Sequence, residues 1–170
     1  MRHTKELFSL EGKVAIVTGG RGLYGASISL GLCEMGATVV IASRNGAACE
    51  EYAAQLREQG YNAIGLSLDL SDDASIKALA KEVADRYGKI DILVNNAGIS
   101  LHEGEISNVT EEQFDSQIST NLKGGYFLSQ QFIKYFEESK QEFGNILFGC
   151  AVDMSCDCYA SIFSREVEVG

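Results

Sequence analysis

Short runs of β-branched and aliphatic residues alternate along this chain with longer stretches in which apolar residues recur every three or four positions. That alternation is the sign of strand–helix–strand units and of a parallel sheet, because each crossover between parallel strands needs a helix-length connection. Strands are predicted at residues 14–18, 38–42, 63–68, 90–95 and 145–148, with helices between them. The helix over 23–35 is closed by Gly36 and the one over 47–59 by Gly60. Ile76, Leu79, Ala80, Val83, Ala84 and Tyr87 share one face of a third helix before Gly88, and that face should lie on the sheet. Thr110 with Gln113 three places later is a capping box, which starts a long helix through Phe114, Ile118 and Leu122 to about Phe136.

Five strands with crossing helices predict an α/β fold, a Rossmann-type doubly wound parallel sheet in three layers. Its ligand crevice lies at the C-terminal ends of the strands where their order reverses. Thr18, Arg44, Asp69 and Asn95 all fall at or near such ends. After Phe148 the texture changes to scattered small residues and three cysteines, with no sustained period of 2 or 3.6. The chain therefore divides into a dinucleotide-binding domain over 1–149 and a divergent cysteine-containing tail over 150–170. The sheet is expected to stop after its fifth strand with an uncovered edge and an exposed helix face, a source of marginal stability or self-association.

At 170 residues the chain fits one domain able to bury a core without disulfides. Its net charge of −10 argues against nucleic acid or an anionic membrane as partner and favours a small-molecule substrate. No apolar run has the length of a membrane helix, and residues 1–13 lack the apolar core of a secretory signal, so a cytoplasmic location is expected. Five cysteines, an odd number, then read as free thiols. The acceptor triplet Asn108-Val109-Thr110 reads as chance in that setting.

The strongest chemical signal is KVAIVTGGRGLYG over residues 13–25, an apolar strand that runs into Gly19, Gly20, Gly22 and Gly25. Glycines there let the backbone approach a pyrophosphate, and the N–H groups opening the next helix favour its charge. A dinucleotide is the implied ligand. After the second strand, where an acidic residue would read a ribose 2′-OH, this chain has Ser43 and Arg44. That selects for a 2′-phosphate, with Arg21 as a second cation, so NADP(H) is expected over NAD(H). The alternative for both arginines is plain solvated surface charge.

TGGRGLYG, the LDL of residues 68–70, NNAG over 95–98 and NLKGGYF over 121–127, in this order, resemble the short-chain dehydrogenase/reductase family across residues 8–149. The opening LFSLEGKVAIVTGG and the phrase TVVIASRN look most like its gluconate 5-dehydrogenase-like members. The resemblance implies hydride transfer between a nicotinamide and a hydroxyl or carbonyl carbon of a small substrate, a sugar acid or polyol on the narrower likeness. It implies a cofactor turn made by Thr18, Gly19, Gly22, Leu23 and Gly25, although the spacing here is TGxxGxxG and not the commoner TGxxxGxG. It implies that Arg44 prefers NADP(H), that Asp69 and Leu70 border the adenine, and that the stretch Asn95, Asn96, Ala97 and Gly98 supports the sheet's centre beside the ribose. Asn121 matches the asparagine that kinks the long helix and holds a water of the proton relay. Pairing through the helix around Asn121 and the helix after it is also implied, and only the first is present.

At the family's catalytic positions this chain departs. The serines expected after the fifth strand fall on Cys150 and Ala151, and at the family's spacing the tyrosine and lysine of YxxxK fall on Ser164 and Glu168. Tyr159 comes too early and has Phe163 four places on. A glutamate would oppose ionisation of a neighbouring phenol. Little or no turnover is expected, and the alternative is a non-catalytic nucleotide-binding fragment from a truncated or frame-shifted gene. The tail's Cys150, Cys156, Cys158, Asp153 and Asp157 lack the paired spacing of a structural zinc site, so no metal is expected. Cys150 has no nearby cation to activate its thiol, His3 and His102 read as surface residues, and His102 could reach substrate from the loop after the fourth strand.

Overall fold

The computed structural model describes residues 7–99, 106–141 and 143–149, and the backbone of a strand over 163–168. Among the described residues six strands form one sheet: β1 (Val14–Thr18), β2 (Thr38–Ser43), β3 (Ala63–Ser67), β4 (Ile92–Asn95), β5 (Phe143–Phe148) and β6 (Phe163–Glu168), in the order β3-β2-β1-β4-β5-β6. β1 to β5 are parallel. The chain winds outward from β1 to β3 and returns to β4 on the other side of β1, which opens the crevice beside the C-terminal end of β1.

Period-two alternation in the central strands splits the interior into two cores. Val14, Ile16 and Val40 face Leu79 and Val83 of α3 (Asp73–Tyr87) and Phe132 and Phe136 of α5 (Gly125–Ser139). Ala15, Val17, Val39 and Ile41 face Cys33 of α1 (Leu23–Glu34) and Cys49, Ala53 and Leu56 of α2 (Gly46–Glu58). β1 is therefore buried on both faces, as its unbroken apolar sequence requires.

β4 begins two residues later than the apolar run suggests. Asp91 is buried, and its carboxylate accepts from the Val14 N–H at 2.8 Å and from Lys13 Nζ at 3.0 Å, replacing a ladder contact by a side-chain one. The sheet does not stop at β5. β6 pairs antiparallel with it, Phe148 opposite Phe163 and Phe143 opposite Glu168, so the edge expected to be uncovered carries a further strand. The tail's lack of alternation hid this strand, because pairing uses main-chain groups that every residue has.

The capping box of Thr110 and Gln113 is present in both directions at the start of α4 (Glu111–Ile118). Between α4 and α5 the helix widens into a π segment, Ser119–Gly124. This segment brings Gly124 so close to Leu70 that a Cβ there would lie 2.6 Å from the Leu70 carbonyl oxygen. Phe114, Ile118, Leu122 and Tyr126 form a stripe on the outer side of this helix, each 43–62% exposed, while Leu128, Phe132 and Phe136 carry its buried face. The helix ends at Lys140, which holds a left-handed φ of 53° without being glycine. Lys140→Gly should raise stability by up to about 1 kcal/mol, read as a higher urea midpoint at unchanged slope.

Candidate functional site

A cleft of about 620 Å³ opens at the C-terminal ends of the strands, within the usual range for small-molecule sites. Gly19, Arg21, Gly22, Leu23 and Gly25 form one wall, Ser43 and Arg44 a second, Asp69 and Leu70 a third, and Ala97 and Gly98 the floor towards β4.

The first wall is shaped by backbone chemistry. Gly19 takes a left-handed φ of 64°, its N–H donates to the Ala42 carbonyl at 2.7 Å, and its own carbonyl accepts from Gly22 at 2.9 Å. Gly22 is the N-cap of α1 and provides no side-chain acceptor for the first turn. A helix start without a side-chain cap, bordering a cleft, suits an anion.

Thr18 and Asn95 lie behind this wall and do not line the cleft. Thr18 is fully buried; its Oγ1 accepts from the N–H groups of Asn96 at 3.0 Å and Ala97 at 2.9 Å and donates to the Val94 carbonyl at 3.3 Å. Asn95 is buried towards α5, where its Nδ2 donates to Ser129 Oγ at 3.0 Å and Ser129 in turn donates to the Gly125 carbonyl at 2.8 Å. Among the described residues, Asn95 Oδ1 is the one buried side-chain polar atom without a hydrogen bond. Thr18 holds the backbone after β4 in place, and Asn95 ties β4 to α5 through Ser129.

Asn96, within the stretch that the resemblance places beside the ribose, lines the cleft. Its Nδ2 donates to the Thr18 carbonyl at 3.0 Å and reaches the Gly19 carbonyl at 3.4 Å, tying the glycine turn to the turn after β4. Its place inside NNAG was the available signal. Ser116, Ser119 and Thr120 also line the cleft, from α4 and the π segment. Nothing in a helical pattern separates such hydroxyls from an ordinary solvated face.

On the third wall, the Asp69 carboxylate accepts from the Ser71 hydroxyl at 2.6 Å and the Ser71 N–H at 2.9 Å. These bonds, with the Arg44 charge as a smaller contribution, hold its pKa below the ordinary aspartate value. Asn121 sits on the π segment beside the cleft. Its amide donates to the Ile99 carbonyl at 2.9 Å and accepts from the Ile99 N–H at 2.8 Å, which fixes the chain leaving β4. Of the two described cysteines, Cys33 is pushed up to about 11, chiefly by burial and then by Glu34, which leaves its thiol protonated.

Cys150, Ala151, Tyr159 and the other tail cysteines and aspartates fall outside the described residues, as do His3 and His102. Ser164 and Glu168, where the family's spacing puts the tyrosine and lysine, belong to β6. Four places along an extended strand separate them by about 13 Å, where a helix would stack them on adjacent turns. Among the described residues no group of histidine, cysteine, aspartate or glutamate is arranged to hold a metal ion, and no helix is long and apolar enough to cross a membrane.

The glycine turn, the turn after β4 and the bridged π segment occur together in a stretch that the model of the short chain dehydrogenase family matches over residues 13–154. The chain belongs to the short-chain dehydrogenase family. It is an oxidoreductase family that binds NAD(P). One curated relative, a sepiapterin reductase of Chlorobaculum tepidum, is 39% identical over 110 residues, 65% of this chain and 44% of the relative. Among solved structures, a gluconate 5-dehydrogenase from Burkholderia cenocepacia J2315 in complex with NADP and tartrate superposes with a TM-score of 0.76 at 32% identity, over 85% of this chain and 55% of that one. A 3-ketoacyl-(acyl-carrier-protein) reductase from Brucella melitensis complexed with NADH gives 0.70 at 34% identity, over 76% and 52%. The chain spans about half the length of the curated relatives it matches.

Proposed function

We propose that the cleft binds NADP(H) in preference to NAD(H), on the plan of an oxidoreductase acting at a hydroxyl or carbonyl carbon of a small substrate, a sugar acid or polyol. The carrying observation is that Ser43 and Arg44 line the cleft at the end of β2, with Arg21 on the neighbouring wall of the same cleft. One relative in fold binds NADP and another NADH, so the preference rests on these residues and not on kinship. The glycine turn and the start of α1 take the diphosphate, Arg44, Arg21 and Ser43 the 2′-phosphate, and Asp69 and Leu70 the adenine. Bound nicotinamide supplies the hydride chemistry. Asn121 keeps the chain at Ile99 in place beside it.

A second reading, nucleotide binding without catalysis, is favoured by one observation. The positions expected to bear the tyrosine and lysine bear Ser164 and Glu168, on a strand that separates them. Fluorescence titration with NADPH and NADH, alongside turnover assays on sugar acids and polyols, separates the two: saturable NADPH binding without turnover supports the second, and turnover the first. Arg44→Ala should weaken NADPH binding by about 10- to 100-fold and leave NADH within about twofold. Equal losses for both nucleotides would sink the 2′-phosphate reading.

The outward stripe of Phe114, Ile118, Leu122 and Tyr126 supports self-association through the helix that carries Asn121. Leu122→Glu should then shift the protein towards monomer in sedimentation velocity, and an unchanged distribution would remove this helix from the interface. The free thiols of Cys33 and Cys49 go with a cytoplasmic location.

A further inference from the structure

Behind the proposed 2′-phosphate site sits a buried thiol. Cys49, in the first turn of α2, is 0% exposed and lies among Val39, Ile41, Ala53 and Leu56. Its sulfur is 2.9 Å from the Ser43 hydroxyl oxygen, and among the described residues this is its one hydrogen-bond partner. Ser43 itself is half-buried and faces the cleft beside Arg44.

Two proton arrangements fit this contact. If Ser43 donates to sulfur, the S–H is left unpaired in an apolar core and the hydroxyl presents only lone pairs to the cleft. If Cys49 donates to Ser43, the thiol proton is paired and the Ser43 proton is free to turn into the cleft. An anionic oxygen in the cleft can accept from the second arrangement and is repelled by the first.

We propose that Cys49 is a positioning residue that turns the Ser43 proton into the cleft, so that Ser43 donates to a phosphate oxygen of the bound nucleotide. The inference rests on the NADP(H) reading above and adds to it a residue that never touches the ligand. Cys49→Val keeps the apolar volume and removes the donor, Cys49→Ser keeps a donor, and Cys49→Ala serves if the valine variant does not fold.

The test measures Kd for NADPH and NADH on wild-type protein, these variants, Ser43→Ala and the Ser43→Ala/Cys49→Val double variant. Cys49→Val and Ser43→Ala should each weaken NADPH about 3- to 10-fold with NADH unchanged, the double variant should be no worse than Ser43→Ala, and Cys49→Ser should restore NADPH affinity. An NADPH Kd in Cys49→Val equal to that of the wild type, in a protein that prefers NADPH, overturns the inference alone. So does an equal loss for both nucleotides in Cys49→Val, which would make Cys49 a packing residue. Equal wild-type affinity for NADPH and NADH overturns the NADP(H) reading and this inference together.

Discussion

Gly25→Ala should weaken NADPH binding by about 5- to 150-fold while leaving the far-ultraviolet circular dichroism spectrum unchanged. A Cβ at this position would lie 2.1 Å from the Gly19 carbonyl oxygen and 2.8 Å from Asn96 Nδ2. Neither neighbour can yield locally. The Gly19 carbonyl already accepts from Gly22, and Asn96 is held by the Thr18 carbonyl. The start of α1 must move away from the turn, which separates the two halves of the proposed diphosphate cradle. Overpacking of this kind costs about 1–3 kcal/mol, or roughly 5- to 150-fold if it is expressed in binding. Wild-type affinity in Gly25→Ala would mean that the diphosphate is held elsewhere.

Gly65→Ala should have the largest effect on stability, about 3 kcal/mol, with a melting temperature lower by roughly 6–12 °C. Gly65 lies in β3 directly beneath α2, and a Cβ there would come within 2.0 Å of the Glu50 nitrogen and 2.2 Å of the Cys49 carbonyl carbon. The obstacle is helix backbone, so relief requires the whole of α2 to lift from the sheet. That movement would also break the clamp in which Glu50 accepts from the Gly65 N–H at 2.8 Å while Arg57 bridges Glu50 at 2.6 Å and the Ala63 carbonyl at 2.7 Å. Thermal and urea unfolding check the prediction, and a change below about 0.5 kcal/mol would refute the rigid approach of α2 to β3.

Much of this fold was legible because the central strands leave so little choice. VAIVT is apolar at four of its five places and is buried on both faces, and both of its predicted ends coincide with those of β1. The start of α4 was equally legible, since Thr110 and Gln113 satisfy each other's backbone neighbours through local chemistry. Less visible were features decided by distant residues. The resemblance places an irregularity of the long helix at Asn121, inside the π segment, but the close approach of Gly124 to Leu70 in that segment is marked by neither residue's own neighbourhood. Phe114, Ile118 and Leu122 have the spacing of a buried face, yet they point outward because no layer covers that side of the helix in the described residues. The hydroxyls of Ser116, Ser119 and Thr120 reach the cleft only through the winding of the chain.

The glycine turn also has a history in time. Its shape depends on Asn96, whose amide reaches the Thr18 carbonyl from 78 residues further along the chain. During synthesis at about 5–20 residues per second, the turn's sequence therefore exists for roughly 4–16 s before the residue that fastens it has been made. Residues 18–25 cannot be clamped in their final form by β1 to β3 alone. A nascent chain halted before β4 should show no nucleotide-dependent protection from protease, and that protection should first emerge once Asn96 is available.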